Sequence, residues 1–392
     1  MTAVFAGIAH AMRATTSFVV RAVLLLVLLE GTASLVDFAL GLAEGLQPPE
    51  RERLHMHFDP ELGWTSIPDT RLESFYGPGR SLTINSQGVR AEQAYAPARP
   101  PGRRRALCAG DAFTFGPDVD DDATWCAQLE QIEPTFETVN LGQPGYGLDQ
   151  IFLRVRRDGA AFDFDVLVVA LTRDAFTRME KDNYHHYAKP VLRIAPTGAL
   201  EVRNVPVPNT GERMPWLVRN QSVFERLRIV ELARPAIRAL RPTQPPGLTT
   251  GELAELSGKV FGELAQLCAQ RGATLALVYL PTYADYENPG ELWRARIARE
   301  ARKREIAFFD LVEELRALPR SDAARLYEPL DPNGLSGREA PLSEAGHAWV
   351  AEALRAHLRR LPSVAALLEG PRVRIPATMP RRERPWANPS IS

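Results

Sequence analysis

Apolar residues along this chain follow two alternating patterns, one typical of buried strands and the other of helices. Mostly apolar stretches predict strands at 105–109, 165–172, 274–281 and 306–311, and the more polar stretch 137–141 predicts one more. Helical spacing of apolar residues predicts helices at 124–131, 148–158, 250–271, 292–303 and 343–360. Strands that are apolar on both faces and separated by helices indicate a parallel sheet covered on both sides. The pattern predicts an α/β fold, a three-layer α/β/α sandwich with a flavodoxin-like five-stranded sheet and its functional groups at the carboxyl ends of the strands.

Three segments flank or interrupt this alternation, which places the sandwich domain at 103–361. Residues 46–102 read as a polar, proline-bearing stalk and a lead-in segment. Residues 181–245 form an insertion rich in Pro, Asn and Arg, and irregular chain of that length is commonly functional or a lid. Residues 362–392 have no apolar periodicity, which predicts a disordered tail.

The N-terminal segment is the most apolar part of the chain. Residues 18–42 are mostly apolar, with an unbroken apolar run at 22–29, and two arginines precede the run. Arginines in that position are typical of a cytoplasmic N-terminus, and a membrane helix needs about 20 mostly apolar residues. We expect a retained membrane anchor at 1–45 that places the rest of the chain on the extracytoplasmic, periplasmic face. A cleaved signal peptide and a soluble amphipathic helix are the alternatives.

Net charge and cysteine spacing narrow the classes of function. The formal net charge of −1 gives no reason to expect a nucleic-acid partner. Cys108, Cys126 and Cys268 lie far apart without metal-ligand spacing, so neither a disulfide framework nor a zinc site is expected.

The most informative motif follows the first predicted strand. Gly110, Asp111 and Ala112 form a turn into a helix start, where backbone N–H groups can hold an oxyanion. Residues 110–116 resemble the first block of the SGNH/GDSL hydrolase family, Gly-Asp-Ser-Phe-Thr-Phe-Gly. The resemblance implies the sandwich fold and the hydrolysis or transfer of acyl esters by a serine nucleophile. Ala112 stands at the serine position, so the nucleophile position is vacated, while Asp111 is retained as a residue that supports the pocket.

Further blocks of the family resemblance follow the second and third strands. Residues 140–150 resemble the second block, and the resemblance places the oxyanion N–H at Gly145. After the third strand, Arg173 stands at the position of the family's Asn donor, and the neighbouring Asp174 is retained. Arginine is also a donor, but it is longer, charged and aimed differently.

The fifth block precedes the last helix. The resemblance places Glu339 at the position of the family's Asp and Pro341 at that of the catalytic His, so the position of the general base is also vacated. His347 follows six residues later and is the alternative base. A role at the helix start or in packing competes with that interpretation.

Other side chains suggest substitute chemistry, each with a structural alternative. Thr114 is a candidate nucleophile or a buried, capping hydroxyl. Tyr184, Tyr187 and Trp216 suit a carbohydrate-binding groove. Two groups of side chains are candidate metal ligands. The acidic residues Asp118, Asp120, Asp121 and Asp122 are also typical of a solvated helix start. The pair His185 and His186 has no evident third ligand. We expect no metal and no cofactor.

The sequence therefore predicts an SGNH-hydrolase-like protein that is catalytically inactive and keeps its pocket for binding or assembly. The expected ligand is an acylated polysaccharide or another acyl ester. An active carbohydrate esterase or O-acyltransferase with relocated groups is the alternative. A structural envelope protein whose pocket has closed is a third hypothesis, and filled space at Ala112 and Gly145 would favour it.

Overall fold

The computed structural model describes residues 54–184, 187–209, 248–288, 291–328 and 340–369, with helical residues at 16–25, 27–28, 31–32 and 35. All five predicted strands lie within these ranges. Several residues and segments named above lie outside them: His185, His186, Trp216, Glu339, 210–247 and 370–392.

Within the described residues, thirteen strands form one large sheet and four hairpins. They are β1 Met56–Asp59, β2 Gly63–Ser66, β3 Thr70–Leu72, β4 Leu82–Ile84, β5 Arg104–Ala109, β6 Phe136–Asn140, β7 Val166–Leu171, β8 Asn183–Tyr184, β9 Tyr187–Ala188, β10 Val191–Ile194, β11 Leu200–Arg203, β12 Thr274–Tyr279 and β13 Ala307–Asp310. The large sheet has the order β13-β12-β7-β5-β6, and every pairing within it is parallel. Counted along the chain this is the order 2-1-3-4-5, so the flavodoxin-like prediction is confirmed.

Helices cover both faces of the sheet. They are α1 Ala112–Phe115, α2 Trp125–Ile132, α3 Leu148–Arg157, α4 Arg173–Thr177, α5 Thr250–Gln270, α6 Tyr283–Glu287, α7 Glu291–Arg302, α8 Val312–Arg316, α9 Arg320–Arg325, α10 Glu344–Arg360 and α11 Pro362–Leu368. Side chains alternate across a strand, so β7 divides between two cores. Leu167 and Val169 pack with α3, α5 and α7, whereas Val166 and Val168 pack with α2 and α10. The cysteines are free and buried in these cores.

Two segments differ from the sequence predictions. The tail was expected to be disordered from residue 362, but α11 occupies Pro362–Leu368. Proline begins this helix, as its fixed φ allows, and Val364 is fully buried in the core that holds α10. The insertion, expected to be irregular, forms two antiparallel hairpins in its described part, β8–β9 and β10–β11.

The lead-in segment packs against the start of the sandwich. Arg90 donates to the carbonyls of Phe115 (2.9 Å) and Val119 (2.8 Å), and also to that of Gly116. The same guanidinium pairs with Asp121 at 2.9 Å. This buried arginine therefore ties the lead-in to the loop that follows α1.

The N-terminal residues were predicted to form a membrane anchor. Within the part of the chain that the structure describes, no helix combines the length and the apolar character needed to cross a bilayer.

Candidate active site

The turn between β5 and α1 presents a capped helix start at the carboxyl edge of the sheet. Asp111 is the N-cap, and its Oδ1 accepts from the backbone N–H of Phe113 at 3.0 Å. The helix ends after four residues because Gly116 adopts the left-handed conformation (φ 83°). Local sequence thus fixes a short, sharply bounded turn with Ala112 at its first helical position.

Asp111 is held by two side chains from the segment after β7. Its Oδ2 accepts from the Thr172 hydroxyl and from Arg178 Nη1, both at 3.0 Å. Burial raises the pKa of Asp111 above its usual range, while the Arg178 charge and these hydrogen bonds oppose that shift. A buried carboxylate bonded to three donors is a structural support, and its acceptor atoms face the protein.

Ala112 places a methyl group at the position that the family resemblance assigns to the nucleophile, and it is 1 % exposed. The hydroxyl-bearing Thr114, two residues further on, is fully buried. A Cβ at Gly110 would lie 2.1 Å from Thr114 Oγ1, so this hydroxyl packs beneath the turn. Among the described residues it has no hydrogen-bond partner. A nucleophile in that position has no path to a substrate in this conformation.

The turn after β6 is locked onto α1. Asn140 Nδ2 donates to the Thr114 carbonyl at 2.9 Å, while Asn140 Oδ1 accepts from the Gly142 N–H at 2.9 Å. A Cβ at Gly142 would lie 2.3 Å from the backbone nitrogen of Phe115, so only glycine allows the two turns to approach this closely.

Gly145, the expected oxyanion residue, lies beneath aromatic rings. It has φ +79°, and a Cβ there would lie 2.7 Å from Tyr184 Cε1 and 3.3 Å from Trp64 Cζ2. Trp64 Nε1 donates to the Pro144 carbonyl at 2.9 Å, and the Trp64 and Tyr184 rings stack with centroids 6.3 Å apart. Tyr187 packs on Trp64 from the other arm of the β8–β9 hairpin, with centroids 5.7 Å apart. These rings fill the space above Gly145, as the closed-pocket hypothesis requires.

The family resemblance places Arg173 at the position of the Asn donor, but the structure brings Arg178 to Asp111 instead. Arg173 is exposed on α4. Arg178, by contrast, bonds Asp111, pairs with Asp174 at 3.1 Å and lies over the Tyr184 ring, 4.9 Å from its centroid. The i,i+4 spacing of Asp174 and Arg178 was a usable sequence signal for the second of these contacts.

The vacated base position and the alternative base are both buried. Pro341 accepts a hydrogen bond from the Glu328 N–H (2.9 Å) through its carbonyl. His347 lies in α10 and is fully buried, and its Nδ1 accepts from the backbone N–H of Trp125 at 3.1 Å. Burial and the nearby Arg90 charge lower its pKa to about 3. The imidazole is therefore neutral and serves as a cap on the first turn of α2.

The acidic residues after α1 bind the lead-in segment. Asp120 accepts from the Ser81 N–H at 2.9 Å, and Asp121 accepts from the Thr83 N–H at 3.2 Å and pairs with Arg90. In the part of the chain that the structure describes, no group of three or more His, Cys, Asp or Glu side chains is arranged to hold a metal ion.

No protein-family model matches the chain, and no curated protein matches it in sequence. Solved structures of G-D-S-L proteins and esterases resemble it. A G-D-S-L family protein from Desulfitobacterium hafniense is 14% identical (TM-score 0.37; 65% of this chain and 100% of that one). An acetyl xylan esterase is 12% identical (0.36; 64% and 98%), and a lipase/acylhydrolase from Enterococcus faecalis is 10% identical (0.37; 65% and 95%). The assignment of the fold rests on the strand order described above.

One more buried pair fixes the β8–β9 hairpin over Gly145, and the sequence pattern did not indicate it. Lys189 Nζ lies 2.5 Å from Asp149 Oδ2, and both side chains are fully buried. The ammonium group also donates to the carbonyls of Lys181 (3.2 Å) and Pro190 (3.1 Å). With three acceptors for three N–H groups, Lys189 fastens the segment after β9 to the first turn of α3.

Proposed function

We propose that this chain is a catalytically inactive protein with a hydrolase-like fold that acts in binding or assembly at the cell envelope. The observation that carries the proposal is Ala112. It occupies the helix start that follows the Asp111 cap, where an ester hydrolase of this type needs a hydroxyl. In serine hydrolases, loss of the nucleophile lowers kcat by roughly a millionfold, and what remains comes from the oxyanion hole and binding.

The other catalytic positions give no compensating group within the described residues. Pro341 offers only a backbone carbonyl, and that carbonyl is already bonded to the Glu328 N–H. Arg173 points from an exposed position on α4, and Gly145 is covered by Tyr184 and Trp64. Any acyl group that reached Ala112 and Gly145 would first require the β8–β9 hairpin to move. The geometry therefore supports assembly through the surface of the protein more than binding of an acyl ester or acylated polysaccharide at Ala112 and Gly145.

We also propose that residues 1–45 attach the protein to a membrane, with the remainder on the extracytoplasmic face. The apolar run at 22–29 supports this, as do the large apolar side chains of the helix at 16–25. Phe18, for example, is 72 % exposed. Exposed apolar side chains in such density are typical of a surface that another apolar phase covers.

The test is hydrolysis of p-nitrophenyl acetate by the purified full chain, alongside Ala112→Ser, with heat-unfolded protein as the background. We expect both rates to equal the background, because a restored hydroxyl still has no base at Pro341. Wild-type turnover above background would overturn the proposal. If Thr114→Val and His347→Asn each then abolished that turnover, an active esterase or O-acyltransferase with relocated groups would replace it.

A further inference from the structure

A cavity of about 500 Å³ opens between helices α5 and α7, and it shares no residue with the candidate active site. Gly251 and Ala254 line it from α5, and these small side chains leave the space between the helices open. Glu255 and Glu300 supply its two carboxylates. The other charged side chains of this basic groove are five cations, Lys259, Arg296, Arg299, Lys303 and Arg304. The groove therefore has an excess of three positive charges.

Only part of this charge is compensated within the groove. Glu300 pairs with Lys303 at 2.7 Å and with Arg304 at 2.6 Å. Glu300 is itself held close to α5, since a Cβ at Gly258 would lie 2.4 Å from its Oε2. Within the described residues, the structure gives no ion pair to the remaining three cations, Lys259, Arg296 and Arg299.

Arg296 and Arg299 stand three residues apart on α7, and both side chains line the basic groove. The Nη1 atom of Arg296 is buried and has no hydrogen-bond partner among the described residues. A buried donor without a partner is unfavourable in the folded protein, and an anion in the groove would supply the missing acceptor.

We propose that the basic groove binds a phosphate-bearing ligand. A guanidinium group presents its N–H donors in a planar fork that matches two phosphate oxygens, and two such groups beside a lysine suit a dianion. The volume falls within the range of small-molecule sites. The proposal does not depend on whether the candidate active site is inactive. The phosphate belongs either to a soluble phosphoester or to a phospholipid headgroup at a membrane surface.

The test compares the wild-type full chain with Arg296→Gln/Arg299→Gln by isothermal titration calorimetry with inorganic phosphate. We expect the double variant to lose at least tenfold in affinity, and higher salt to weaken wild-type binding because the groove is open to solvent. A second arm measures binding to vesicles of phosphatidylglycerol in phosphatidylcholine against phosphatidylcholine alone. Loss of the phosphatidylglycerol-dependent part in the double variant would identify the headgroup as the source. Loss of phosphate binding alone would identify a soluble phosphoester.

Arg320→Gln/Arg325→Gln is the matched control, because it removes the same charge from exposed arginines on α9. This control should bind phosphate as the wild type does. The double variant in the groove should also keep a cooperative unfolding transition without phosphate, because the structure gives neither arginine an ion pair among the described residues. Equal phosphate binding by the two double variants, or no binding by the wild type in either arm, would overturn the proposal.

Discussion

The imidazole of His347 illustrates how surroundings decide what a titratable residue does. Its Nδ1 accepts from the Trp125 N–H, so this nitrogen carries no proton and the ring can hold its single proton only on Nε2. Gly116 packs beside it, since a Cβ there would lie 3.4 Å from His347 Cε1. A charged imidazolium would lose the bond to Trp125 and stand in a dry core near Arg90.

This arrangement predicts a specific dependence of stability on pH. The pKa of His347 is about 3 in the folded protein and about 6.5 when unfolded, so between these values the unfolded chain binds the extra proton. Stability from this residue is complete above pH 6.5 and falls by up to about 1.4 kcal/mol per pH unit as the pH drops toward 3. We therefore expect the free energy of unfolding in urea to fall between pH 6.5 and pH 4.5 by about 2–3 kcal/mol less in His347→Asn than in the wild type.

The control is His57→Asn, which removes an exposed imidazole instead. Its free energy of unfolding should fall between pH 6.5 and pH 4.5 by as much as that of the wild type. Equal drops in wild type and His347→Asn would contradict the assignment of a neutral, buried imidazole.

At the scale of elements, the β8–β9 hairpin is the part that closes the candidate site. Tyr184 and Tyr187 reach Trp64 from its two arms, and the Lys189–Asp149 pair fixes the chain where it leaves β9. Burial raises the pKa of Asp149 and lowers that of Lys189, while the attraction between the two opposes both shifts. Breaking such a pair is costly because it leaves one uncompensated charge in the core.

Lys189→Met should therefore lower the free energy of unfolding by about 3–5 kcal/mol. Lys189→Met/Asp149→Asn should recover most of that loss, because Asn carries no charge. In the wild type the Gln150 N–H donates to Asp149 Oδ1 at 2.9 Å, and the Asn oxygen can accept the same hydrogen bond. Urea unfolding followed by circular dichroism at pH 7 measures both. Lys181→Met, an exposed lysine of the same segment, is the control. A single-variant loss within 1 kcal/mol of that control would show that the pair does not hold the hairpin.

At the scale of the whole molecule, the sandwich is joined to its lead-in through Arg90, and the lead-in continues from the proposed anchor at 1–45. If that anchor is retained, the full chain stays with the membrane fraction after alkaline carbonate washing. A variant without residues 1–45 should be released. Intact mass separates this from a cleaved signal peptide, since a retained segment gives the full 43.5 kDa. Recovery of the full-length chain in the soluble fraction would contradict the proposed anchor.

Sequence pattern predicted the sheet closely because its central strands, such as β7 and β12, are apolar on both faces. The strand predicted at 165–172 is Val166–Leu171, and its side chains alternate between the two cores. The short helix α11 was missed because seven residues carry too little periodicity, and its stability depends on Val364 meeting the core. Helices of that length form mainly through tertiary packing.

The candidate site divides in the same way. By itself the sequence determined the Asp111 turn and the residue types at Ala112 and Pro341, the positions that the family resemblance assigns to the nucleophile and the base, because these depend on residue type at adjacent positions. Only the tertiary structure decided that Arg178 holds Asp111 from 67 positions away and that Trp64 and Tyr184 cover Gly145. Contacts between distant segments depend on how the elements pack, and a local sequence pattern does not specify which distant side chain fills a given space.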